Sequence, residues 1–153
     1  MKKEELIKAR RTAAMISAAI ISAVFLYAAV VEAVSRFAAF SPPVTGTASA
    51  VLRYALYFLG VSAVLALRFV RPAMESRRNA SPDAAARMLA QAVVTSALCE
   101  VPALAGFMLF VLTGGYWDFY LLASFSTVME LINFPTYREW EDKIRNGCGL
   151  TLE

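Results

Sequence analysis

Four long apolar runs organise this sequence, and their lengths constrain the fold more than any other feature. They cover approximately residues 12–34, 48–70, 83–113 and 118–134. A helix rises about 1.5 Å per residue, so about 20 apolar residues span the hydrocarbon of a bilayer. The sequence therefore predicts an all-α fold, an integral membrane bundle of four transmembrane helices that forms a single domain.

The composition agrees with a membrane protein and argues against several functional classes. Hydrophobic residues make up 59% of the chain and charged residues 18%, whereas a soluble domain is about 45–50% apolar and about 25% charged. A net charge of +3 is too small to indicate a nucleic-acid partner. The chain has no histidine, no phosphate-binding glycine loop and no metal-ligand pattern, so we expect no enzyme activity, cofactor or metal. Cys99 and Cys148 are expected to be free thiols.

The charged residues indicate the orientation in the membrane. The first apolar run is longer than the ~7–15 residues of a signal-peptide core, so we expect it to be retained as a helix. With a cytoplasmic N-terminus, all fifteen Lys and Arg residues except Arg36 and Arg53 lie on the inner side. By the positive-inside rule this predicts a multi-pass protein of the cell inner (plasma) membrane, with both termini in the cytoplasm.

The tail after the fourth run, residues 135–153, is charged but contains Tyr137, Trp140 and Ile144 at helical spacing. This spacing is typical of an amphipathic helix that lies in the membrane interface. A solvated extension of the bundle would show the same pattern. Both interpretations place the tail in the cytoplasm.

Glu100 is the most unusual residue of the sequence, because it lies near the middle of the third apolar run. A carboxylate at that depth costs roughly 2.5–3.5 kcal/mol on insertion scales. Such a cost marks Glu100 as a candidate proton-binding residue, since the neutral acid is easier to bury. No basic residue is expected at its depth.

Two further acids lie within the apolar runs, closer to their ends. Glu32 is near the outer end of the first run and is expected to form an intramembrane ion pair with Arg53, or alternatively with Arg36. Glu130 lies toward the inner end of the fourth run, where it is expected to reach water or to meet Arg68 or Arg138.

The residues around Glu100 support a protonatable site. Helical spacing is expected to place Gln91 and Ser96 (or Thr95) near its face, among small residues that allow close helix contact. Pro102 has no N–H and therefore frees a backbone carbonyl one turn back. A protonated Glu100 could donate a hydrogen bond to that carbonyl.

The segment RRNASPDAAARMLAQAVVTSALCEVPALAGFMLFVL resembles part of a known family. It resembles the outward-running helix of the rotary ATP synthase proteolipid (subunit c), and the whole similar hairpin covers roughly residues 48–114. Pro82 and Asp83 match the Pro-acid pair that opens that helix, Glu100 matches the ion-carrying carboxylate, and Gly106 matches a later glycine. The resemblance implies proton carrying by Glu100.

The chain departs from the proteolipid pattern in the first helix of the hairpin. That helix is glycine-rich in the family, whereas the matching segment has only Gly60. Val101 stands where sodium-binding members carry a hydroxyl, which argues against sodium. Two additional helices flank the hairpin.

Two functions therefore remain open. In the first, a proteolipid-like membrane protein binds and releases a proton at Glu100. In the second, the chain is a non-catalytic accessory or scaffold subunit in which Glu100 serves helix packing. Both functions imply contact with the lipid bilayer and assembly as a homo-oligomer or with other membrane subunits.

Overall fold

The computed structural model describes residues 3–37, 40–76 and 84–136, and these residues confirm the all-α fold. There are four helices and no strand in the part of the chain described. The helices are α1 (Lys3–Phe37), α2 (Thr47–Ser76), α3 (Ala84–Thr113) and α4 (Tyr116–Ile132). Most of the tail that was predicted to be amphipathic lies outside the described residues.

Three of the four helices are long and apolar enough to cross a membrane. The qualifying spans are Ile7–Phe37, Thr47–Val70 and Ala86–Thr113. The fourth helix has 17 residues, which gives about 25 Å of helix and places it at the lower limit for a bilayer span. Large apolar side chains on the outer surface, such as Phe58 and Phe69, are more than 70% exposed, as expected for contact with lipid.

Helices α1 and α2 extend further than their apolar runs. Helix α1 begins nine residues earlier than predicted, at Lys3, and α2 continues to Ser76 through Pro72. Charged residues at the ends of a span can remain helical outside the hydrocarbon, because the backbone hydrogen bonds of a helix are internal. The ends of these two apolar runs therefore do not mark where the helices end.

Helix α3 is the centre of the bundle. It packs against α1, α2 and α4, whereas α4 makes smaller contacts with α1 and α2. One core cluster illustrates this arrangement, since Val31 of α1, Ala103 of α3 and Phe119 of α4 are each fully buried in it. Any polar group on α3 therefore has neighbours from several helices.

Glycines allow the closest of these contacts. Gly106 faces α4, where a Cβ atom would lie 3.0 Å from the Cβ of Leu122. Gly60 of α2 faces Pro102 in the same way, with the Pro102 Cα 3.2 Å from a Cβ built on the glycine. Gly114 has a φ of 74°, which L-residues with a side chain rarely adopt, and it permits the tight turn between α3 and α4.

Candidate functional site

Three acids inside the bundle each accept a hydrogen bond from a hydroxyl group on another helix. They are Glu32 on α1, Glu100 on α3 and Glu130 on α4. The positive-inside orientation predicts that they lie in the outer, middle and inner parts of the membrane, respectively. The site therefore extends across the bundle and is not confined to one helix.

Glu100 is bound by Tyr27, a partner that was not predicted. The Tyr27 hydroxyl of α1 donates to Oε1 of Glu100 over 3.0 Å, and the Tyr27 ring stacks on Phe107 with 5.4 Å between ring centroids. The expected donation from Glu100 to a carbonyl freed by Pro102 is not the contact observed. Glu100 belongs to neither of the two ion pairs in the described part of the chain, as predicted.

Glu100 lies at the edge of the interface between α1 and α3. It is half-buried, whereas Ala97 and Leu104, one turn before and after it, are exposed. On the other side, Ser96 and Ala103 are buried. The carboxyl group therefore sits where the packed interface meets the outer surface of the bundle.

Three of the four predicted supporting residues point away from Glu100. Successive residues rotate by about 100° around a helix, so Gln91, Pro102 and Gly106 lie about 180°, 200° and 240° from it. Pro102 packs at Gly60 and Gly106 packs on α4. The grouping of Gln91 with Glu100 was wrong, because nine residues make two and a half turns. Only Ser96 shares the side of the helix that carries Glu100.

Ser96 binds Glu130 instead of Glu100. Its Oγ donates to Oε1 of Glu130 over 2.6 Å, and it is also 3.0 Å from the Oγ of Ser17. These three side chains join α3, α4 and α1 and are at most 5% exposed. The sequence contains no simple signal for this cluster, because an isolated serine in an apolar helix is usually a packing residue.

The predictions for Glu130 itself were wrong where the structure tests them. Glu130 is 2% exposed and so does not reach water, and it forms no ion pair with Arg68 in the described chain. Arg138 lies outside the described residues. The second carboxyl oxygen of Glu130, Oε2, is buried without a hydrogen-bond partner.

Glu32, near the C-terminal end of α1, is bound by two tyrosines of α4. Tyr116 donates to its Oε2 over 2.7 Å and Tyr120 over 3.2 Å. Glu32 also forms an ion pair with Arg36, one turn later on α1, at the spacing that brings helical side chains together. The alternative prediction of a pair with Arg36 is therefore confirmed.

The predicted ion pair between Glu32 and Arg53 is wrong, because Arg53 binds Asp118. The Arg53 Nη2 lies 2.6 Å from Oδ2 of Asp118, and Tyr57 donates to Oδ1 over 3.0 Å. The short turn after α3 places the first turn of α4, with Asp118, beside α2. A partner from that distant segment could not be read from the spacing within the first two helices.

The polar groups follow one another at short intervals along the bundle. Ser96 lies one turn before Glu100 on α3, about 6 Å along the axis. Tyr27 lies five residues before Glu32 on α1, about 7.5 Å along the axis. Hydroxyl and carboxyl groups thus lie at successive levels along the bundle, but Tyr27 and Glu32 are about 140° apart around α1, and Glu32 binds hydroxyl groups of α4.

No group of three or more His, Cys, Asp or Glu side chains that could hold a metal ion occurs within residues 3–37, 40–76 and 84–136. Comparison of the chain with protein-family models, curated proteins and solved structures finds no match.

Proposed function

We propose that this chain is a proton-carrying membrane protein, resembling the ATP synthase proteolipid in its α3 helix, in which Glu100 binds and releases the proton. The observation that carries this proposal is the pairing of Glu100 with a hydroxyl group and not with a cation. A carboxylate held by a permanent positive charge would resist protonation. A carboxylate held by Tyr27 keeps its hydrogen-bond partner in both states, because a hydroxyl can donate or accept.

The remaining polar groups support a route to both sides of the membrane. Transport requires exchange in two directions, and α3 alone offers few polar residues for it. The hydroxyls of α1 and α4 supply the others, with Ser17 and Ser96 on one side of Glu100 and the tyrosines around Glu32 on the other. In the minimal cycle, Glu100 accepts a proton from one side, Tyr27 reorients, and the proton leaves toward the other side.

Proton flux in proteoliposomes tests this proposal. We expect Glu100→Gln to abolish flux while the protein still inserts and assembles, because glutamine retains the size and hydrogen-bonding ability of the acid without its proton exchange. Asp118→Asn is the matched control, since it also neutralises an acid but lies beside Arg53, away from the α1–α3 interface. Unchanged flux in Glu100→Gln would refute the assignment.

A scaffold function is the second candidate, and it also has a structural basis. The bond between Tyr27 and Glu100 joins α1 to α3, and the Ser17–Ser96–Glu130 contacts join three helices. In a scaffold subunit these bonds would fix helix packing. Loss of assembly in both Glu100→Gln and Tyr27→Phe, with no proton flux in the wild-type protein, would favour this function.

A further inference from the structure

We propose that Glu130 is a second proton-binding residue, and that Ser96 and Ser17 form a reversible hydrogen-bond relay to it. The proposal rests on the proposed function, because a proton-carrying Glu100 requires an exchange route on one side. It assigns this route to a buried cluster on three helices. The cluster lies one helical turn from Glu100 on α3.

The direction of the hydrogen bonds follows from the number of available hydrogens. A serine hydroxyl has a single hydrogen to donate. Ser96 donates its hydrogen to Oε1 of Glu130 over 2.6 Å. The 3.0 Å contact between Ser17 and Ser96 must therefore be donated by Ser17. When Glu130 is ionised, the hydrogen bonds are therefore donated in the order Ser17 to Ser96 to Glu130.

The ionised form leaves one polar atom unsatisfied. Oε2 of Glu130 is buried without a partner, and the residue is 2% exposed. A buried carboxylate oxygen without a hydrogen bond is costly, because it has lost water and gained nothing in exchange. Protonation removes the charge and leaves Oε2 as a neutral carbonyl oxygen. The unpartnered, buried Oε2 is therefore the observation that singles out Glu130.

Once water reaches the Ser17 hydroxyl, which is 1% exposed in this structure, the transfer within the cluster needs no displacement of the three side chains. A hydronium ion gives a proton to the Oγ of Ser17, whose own hydrogen passes to Ser96, whose hydrogen passes in turn to Oε1 of Glu130. Three O–H bonds form and three break, so the net change is one proton moved from water to Glu130. The hydrogen bonds are then donated in the reverse order, from Glu130 to Ser96 to Ser17.

No charged or ionisable group of the described residues forms an ion pair or hydrogen bond with Glu130. Arg10 lies two turns before Ser17 on the same side of α1, Arg68 is exposed on α2, and Cys99 is buried on α3. Neither ion pair of the described residues includes Glu130. Asn133, the residue that follows α4, contacts the Cys99 sulfur at 3.7 Å and not the acid.

Infrared difference spectra of the full chain in proteoliposomes, recorded across a pH step, test the proposal directly. We expect a carboxyl band that disappears in Glu130→Gln and persists in Glu100→Gln. Absence of any band assignable to Glu130 would overturn the proposal. This readout does not depend on flux, so a failure of the proposed function at Glu100 would be seen separately.

Serine variants supply a second test if Glu130→Gln does not fold. We expect Ser96→Ala to shift the Glu130 band and to lower proton flux about tenfold, which corresponds to a barrier increase of about 1.4 kcal/mol. Ser96→Thr retains the hydroxyl and should restore both. Ser126→Ala is the matched control, because Ser126 is equally buried but donates to the Cys99 carbonyl. Wild-type flux together with an unshifted band in Ser96→Ala would refute the relay.

Discussion

Replacement of Gly106 by leucine is expected to separate α3 from α4. An ideal Cβ on Gly106 would lie 3.0 Å from the Leu122 Cβ and 3.3 Å from the Phe119 Cα. The favourable distance between carbon atoms is about 3.5–4.0 Å, so the new atom is about 0.5 Å too close to Leu122. Because Phe119 presents backbone atoms here, a side-chain rotation cannot relieve its contacts, and α4 itself must move.

The size of the effect follows from these contacts. Phe119 and Leu122 are 0% and 1% exposed, so a displacement of α4 also disturbs the neighbouring core. Overpacking of this kind costs about 1–3 kcal/mol, and we expect Gly106→Leu to fall in this range or above it. For Gly106→Ala the strain is offset by a helix-propensity gain of about 1 kcal/mol, so the net change in stability should be small.

Unfolding in mixed micelles, followed by circular dichroism, measures this difference. Ala97→Leu is the matched control, because it adds the same side chain to an exposed position on the same helix. We expect the control to retain wild-type stability. If Gly106→Leu were as stable as Ala97→Leu, the close contact between α3 and α4 would be refuted.

Three further predictions concern the rest of the bundle. A double-mutant cycle of Arg53→Ala and Asp118→Asn should give a coupling of only about 0–1 kcal/mol, because the Arg53 side chain is 52% exposed; a coupling of several kcal/mol would contradict this. Cys99 is fully buried, so in a Cys148→Ser background it should resist a membrane-permeant maleimide until the protein unfolds, and rapid labelling of the folded protein would contradict its burial. If both termini are cytoplasmic, Ser41→Cys should react with an impermeant maleimide in intact cells while Cys148 reacts only after permeabilisation, and the reverse pattern would refute the orientation.

The helices were predictable from the sequence, but the partners of the acids were only partly so. The absence of a cation beside Glu100 followed from the distribution of Lys and Arg, and the structure agrees within the described residues. The spacing of four residues predicted that Ser96 shares a helix side with Glu100, yet Ser96 binds Glu130. Spacing on one helix says which residues lie together on its surface, but not which neighbouring helix covers them.

The sequence by itself determined that this chain is helical and apolar over lengths that can cross a bilayer. That information is local, because each helix satisfies its backbone hydrogen bonds within its own segment. Only the tertiary structure decided that Tyr27 binds Glu100 and that Ser17, Ser96 and Glu130 form one cluster. These contacts join residues separated by 34 to 79 positions, and such pairs meet only through the packing of α1 and α4 around α3.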